Sequence, residues 1–108
     1  MAILQRRIFY GKVGKGAELI EHVRRMDAIM TDHGVVNSMK VLSDFNSGRT
    51  DRTDRIVVEF RYDSLSDMES VETQMLTEPG SQKDFDEFVA GLGELIHHSE
   101  VEHWRLHS

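Results

Sequence analysis

The sequence predicts an α+β fold, ferredoxin-like in its β-α-β-β-α-α-β order, with a four-stranded antiparallel sheet. Three observations predict it. Stretches with apolar residues at every second position alternate with stretches where they recur every three or four. Gly34 and the Pro79-Gly80 pair stand where two helical patterns stop. The patterned segments also fill nearly all of the 108 residues and leave no linker, so the expectation is a single domain over 1–108.

The first strand is expected over Ala2 to Val13, with Leu4, Ile8 and Tyr10 on one face and Ile3 and Phe9 on the other. Apolar residues on both faces point to a central position in a covered sheet. Ala17 to His33 reads as one helix, with Leu19, Val23, Met26 and Met30 forming its apolar stripe and Gly34 placed for a left-handed cap. Val35 to Phe45 reads as the second strand, with Asn37, Met39, Val41 and Phe45 on one side. A polar hairpin from Asp44 to Arg55 carries the tandem Arg-Thr-Asp-Arg-Thr-Asp-Arg.

Ile56 to Tyr62 is the clearest strand, with Ile56, Val58, Phe60 and Tyr62 alternating against Val57, Glu59 and Arg61. Ser64 with Asp67, or Ser66 with Glu69, supplies a capping box for a helix reaching about Thr77. Another helix starts at Ser81 and presents Phe85, Phe88, Val89, Leu92, Leu95 and Ile96. Ser99 to His107 closes the sheet, and its more apolar face, Trp104 and Leu106, is expected to turn toward the helices.

Composition excludes several functions. Nineteen acidic residues interspersed with thirteen basic ones give a formal charge of −6, opposite to the basic stripe of a nucleic-acid binder. Zero Cys removes disulfides, thiolate nucleophiles and Cys-based metal sites. Met1 to Arg7 has no apolar core of a signal peptide, and no run approaches the ~20 residues needed to span a bilayer, so a cytoplasmic protein without a membrane partner is expected. An apolar content of 39% is lean for a core, and small lean domains complete their burial by association; a homodimer through the open sheet face is expected.

The layout, together with Ile56-Val-Val-Glu-Phe-Arg-Tyr-Asp-Ser-Leu-Ser-Asp-Met-Glu69, resembles the dimeric α+β-barrel superfamily, which includes antibiotic-biosynthesis monooxygenase-like and NIPSNAP-like domains. The opening Arg7-Ile-Phe-Tyr-Gly-Lys-Val-Gly-Lys-Gly16 is similar to the start of NIPSNAP-like domains. The resemblance implies two sheets packed across a dimer, helices outside, and a pocket in each subunit between sheet and helices. Haem-degrading members carry a first-strand Asn and a third-strand Trp; here Gln5 is the first-strand amide and the third strand has no Trp.

Candidate site residues follow from this frame. Trp104, Tyr62, Tyr10 and Asn37, faced by Met26 and Phe88, are the expected lining of a pocket for a flat apolar ligand. Tyr10, Asn37, Tyr62 and His103 are the candidates for orienting a substrate and moving a proton. Arg7, Glu59 and Arg61 are expected on the less apolar side, either as an ion-pair network or as an anion site. His97 and His98 are read as the end of the last helix, while His103 and His107 lie roughly 13 Å apart at ~3.3 Å per strand residue. No metal site and no cofactor are therefore expected. Three readings remain: a binding protein or cofactor-independent enzyme (monooxygenase-like, or isomerase- or cyclase-like) for a small planar apolar compound, a non-catalytic stress-response or interaction module, and a metal or haem protein.

Overall fold

The computed structural model describes residues 1–35, 37–44 and 54–107. The elements are β1 (Ile3–Gly11), α1 (Gly16–Val23), α2 (Arg25–Asp32), β2 (Lys40–Ser43), β3 (Arg55–Tyr62), α3 (Leu65–Thr77), α4 (Ser81–Leu92) and β4 (Ile96–Arg105). The four strands form one antiparallel sheet in the order β2-β3-β1-β4, which is the ferredoxin-like arrangement. β1 is central, as its two apolar faces required. Residues 45–53, which hold Phe45 and the tandem up to Thr53, lie outside the described residues. Its base is closed by the Asp44 N–H donating to the Arg55 carbonyl at 3.0 Å and by an Arg55–Asp44 ion pair at 2.8 Å.

The helix expected over Ala17 to His33 is interrupted at Arg24. There the Asp27 N–H donates to the Arg24 carbonyl at 3.2 Å, a three-residue step that tightens one turn. The apolar stripe survives the interruption, because Leu19, Val23, Met26 and Met30 are all buried. The helix ends as the sequence predicts. Gly34 has φ +73, its N–H donates to Thr31 at 3.1 Å, and the Val35 N–H reaches back to Met30 at 2.8 Å. This is a Schellman cap, and buried Val35 and Met30 supply its hydrophobic contact.

Two expected boundaries shift. The second strand begins at Lys40 rather than Val35. Asn37 Oδ1 accepts the Met39 N–H at 3.0 Å, and Ser38 Oγ both accepts the Arg61 N–H at 3.0 Å and donates to the Arg61 carbonyl at 3.1 Å. Side chains thus take the backbone partners that a strand ladder would use. The last strand begins at Ile96, so His97 and His98 belong to β4 and not to a helix end. The pairing of β1 with β4 slips by one residue between Tyr10 and Gly11, a β-bulge.

The two sheet faces differ from expectation in their assignment. Gln5, Arg7 and Phe9 of β1 face the helices together with Phe60 and Tyr62 of β3. Leu4, Arg6, Ile8 and Tyr10 therefore face the other way, and register puts Val57, Glu59, His98, Glu100, Glu102 and Trp104 beside them. Tyr10 and Trp104 accordingly lie on the open face rather than under the helices. Arg7 lies under the helices rather than beside Glu59 and Arg61. Leu106 follows β4 and is exposed.

Gly34→Val is expected to lower stability by about 1 kcal/mol or more, because a β-branched residue is strained at positive φ. A Cβ at Gly34 meets nothing within 4 Å, so the cost is one of backbone alone. Chemical denaturation checks this, and Gly34→Asn, which tolerates the left-handed region, is expected to lose less.

Candidate functional site: a cavity between sheet and helices

The helix layer does not close completely on the sheet. α1 and α2 pack Leu19, Val23, Met26 and Met30 against the helix-facing residues of β3 and β1. The α3–α4 pair is fixed by its own local bonds. Ser64 Oγ accepts the Asp67 N–H at 3.1 Å and starts α3, as the capping box predicts. At the α3–α4 junction the buried Ser81 hydroxyl donates to the Met75 and Glu78 carbonyls. Two histidines tie α4 to the first helical layer. His22 Nε2 lies 2.8 Å from the Phe88 carbonyl, with its ring stacked on Phe88 at 4.8 Å; His33 Nε2 lies 2.7 Å from Asp84.

Between these parts is a cavity of about 760 Å³. That size lies within the usual range for small-molecule sites. Its walls are aromatic and thioether groups: Phe9 and Phe60 from the sheet, Met26 and Met30 from α2, Met75 from α3, Phe85 and Phe88 from α4. Leu76 and Val89 line it as well, although both are exposed, and this puts them at the mouth. Among the polar groups lining it are Gln5, Arg7, Tyr62 and Glu72.

Each polar group has a definable state. Gln5 is only 3% exposed; its amide nitrogen lies 3.0 Å from His103 Nε2 and 3.8 Å from Met68 Sδ. With the amide as donor, His103 accepts at Nε2 and carries its proton on Nδ1. The Tyr62 phenol has its pKa raised above 10.0, first by burial and then by the negative charge of Glu72, with Arg7 opposing both. At neutral pH it is an uncharged hydroxyl that can donate a hydrogen bond. The Arg7 guanidinium has no hydrogen bond or ion pair among the described residues.

The structure brings Tyr62, Met26 and Phe88 together in this cavity. It places the other expected residues elsewhere. Trp104 pairs with Leu4 on the open face, is 53% exposed, and donates from Nε1 to Glu102 at 3.1 Å. Tyr10 stacks on His98 at 5.4 Å on that face and donates to Glu100 at 3.1 Å. Asn37 sits before β2, donates to Asp27 at 3.0 Å and caps the Met39 N–H, which gives its amide partners without a ligand. His103 is on the cavity face of β4 but meets the cavity only through Gln5.

Gln5, Arg7 and Glu72 were not among the expected lining residues. A signal for Arg7 was present: consecutive arginines in a central strand must point to opposite faces, so one of Arg6 and Arg7 has to lie under the helices. Among the described residues no group of three or more His, Asp or Glu is placed to hold a metal ion. No helix among them is long and apolar enough to cross a membrane.

No family model and no curated protein matches the sequence. Solved structures do. An uncharacterised NIPSNAP domain protein from Burkholderia xenovorans superposes with a TM-score of 0.73 over 98% of this chain and 95% of its own, at 15% identity. The fold is that of NIPSNAP-domain proteins. The same NIPSNAP-type layout extends to SnoaB, a cofactor-independent oxygenase from Streptomyces nogalater (TM-score 0.66, 16% identity, 99% and 94% covered). It is also similar to a dimeric protein of unknown function with a ferredoxin-like fold from Bacteroides fragilis (0.63, 14%, 97% and 96%). Superposition over whole chains thus bears out the α+β, ferredoxin-like fold read from the sequence.

The raised Tyr62 pKa has a signed consequence. Stability linked to Tyr62 is fully present below pH 10.0, its unfolded value, and is lost as pH rises from there through the higher folded value. With two tyrosines in the chain, absorbance titration near 295 nm is expected to show one late phenolate step that Tyr62→Phe removes. The same variant is expected to soften the alkaline loss of stability. A Tyr62 step at or below pH 10 would mean a solvated hydroxyl.

Proposed function

We propose that this protein binds a small, planar, largely apolar compound in the cavity between sheet and helices. The observation that carries the reading is a cavity of about 760 Å³ with aromatic and Met walls and a few inward polar groups. Met side chains adapt to flat ligands through their unbranched, polarisable stems, and polar tips set orientation. As a finer reading, the bound compound is turned over without metal or organic cofactor, with the neutral Tyr62 hydroxyl orienting it through a donated hydrogen bond. The similarity to SnoaB, itself a cofactor-independent oxygenase, supports that direction.

The working unit in this reading is a homodimer joined through the open sheet face. That face exposes Leu42 (42%) and Trp104 (53%), with Leu4 beside them and Ile8 and Val57 already buried within the chain. Arg6 lies among them, 3.1 Å from Glu59 and 3.6 Å from Glu102, so its charge is already balanced before a second copy covers it. Covering a large apolar side chain contributes about 1.5–3 kcal/mol if burial is complete. A second reading, an interaction module without turnover, rests on this same face and would leave the cavity unused.

Nile red is expected to bind with a blue-shifted emission and to be displaced by planar aromatic compounds. Leu76→Glu, at the exposed mouth, is expected to weaken that binding several-fold with an unchanged melting temperature. Absence of any binding would favour the interaction module. Light scattering is expected to give twice the 12.4 kDa chain mass at micromolar concentration, and a stable monomer would remove the dimer.

A further inference from the structure

Arg6 and Arg7 are adjacent in β1 and have opposite surroundings. Arg6, on the open face, has two carboxylates within ion-pair reach, Glu59 at 3.1 Å and Glu102 at 3.6 Å. Arg7, on the cavity face, has none among the described residues, although it is partly buried beside Phe9 and Phe60. A guanidinium cannot shed its charge, so a partly desolvated one without a carboxylate is costly until an anion meets it. Glu72 also lines the cavity but makes no ion pair with Arg7.

The same sheet face gathers further positive charge. Register places Arg105 opposite Ile3, exposed and on the side of β4 that faces as Arg7 does. In a chain of net charge −6 this is a local reversal of sign. Tyr62 adds a neutral hydroxyl donor close enough to Arg7 to feel its charge.

We propose that the cavity recognises the carboxylate of a planar apolar acid, with Arg7 as its anchoring cation and the Tyr62 hydroxyl as a second donor. This rests on the reading of the cavity as a ligand site and specifies the ligand class. A carboxylate fits better than a phosphate. The planar fork of Arg7 matches a carboxylate bidentately, and one cation set against Glu72 does not balance a dianion. The flat apolar body of the acid then lies against Phe60, Phe88 and the Met side chains.

The test uses calorimetry on the full chain with 2-naphthoate and anthracene-2-carboxylate, each compared with its carboxamide, which has the same shape and no charge. The acids are expected to bind about ten- to hundredfold tighter than the amides, the range of a charge-assisted hydrogen bond. Arg7→Met is expected to bring the acids down to the level of the amides, whose own affinity falls far less, and Arg7→Lys to restore part of the preference. If the wild type binds acids and amides alike, the Arg7 inference is overturned and the cavity reading stands. A preference that survives Arg7→Met also overturns it and moves the anchor to another cation. If neither series binds, the cavity reading falls with it. Should Arg7→Met fail to fold, the wild-type comparison and Arg7→Lys decide.

Discussion

β1 is hydrogen-bonded along both edges, to β3 and to β4, so its pleat is imposed on every neighbouring side chain. With a period of two, the choice of which β1 residues face the helices assigns β3 and β4 as well. Phe9 settles that choice, since it packs in the core with Ile56, Val58 and the α1–α2 stripe. Gln5 and Arg7 then have to lie under the helices. A helix layer packed tightly over them would strand an amide and a cation in apolar surroundings. The cavity is where the fold accommodates them, which ties the open space to the strand's sequence.

The helices meet this constraint unequally. The α1–α2 stripe is close-packed, with Leu19 and Val23 fully buried. α4 is held by directional bonds at His22 and His33, and its junction with α3 is fixed by Ser81. Those contacts fix where the helices stand relative to one another without requiring them to fill the space above Arg7. The walls are consequently rigid at their anchor points and lined by adaptable Met side chains between them.

Much of this was legible in the chain. Element order, the central strand, the Gly34 cap and the Ser64 cap all rest on local chemistry and appear as read. The faces were harder. Leu4, Ile8 and Tyr10 make the more apolar side of β1, and apolarity alone assigns that side to the helices. It fails because the open face has an apolar requirement of its own, seen in the burial of Ile8 and Val57. Trp104 misleads for the same reason. Asn37 misleads differently: its amide is consumed by a turn, and turn bonding competes with strand pairing in ways that alternation does not reveal. The cavity itself shows in sequence only as Gln5 and Arg7 beside Phe9 on one side of the central strand, a sign easily taken for a solvated face.

The bulge opposite Tyr10 and Gly11 has an effect out of proportion to its size. On one side of it Gly11 pairs with Ile96; on the other Tyr10 pairs with His98, and His97 is the extra residue. If His97 paired with Tyr10 instead of bulging out, the Gly11–Ile96 register would run on down the strand, bringing Trp104 opposite Ile3 and His103 opposite Leu4. Every side chain of β4 beyond Ile96 would then exchange faces. Parity, rather than composition, is what assigns the indole to the outer surface and the imidazole to the cavity side. A β4 that took His97 into the ladder instead of bulging it would interchange its outer and cavity faces at a stroke, with no substitution anywhere in the strand.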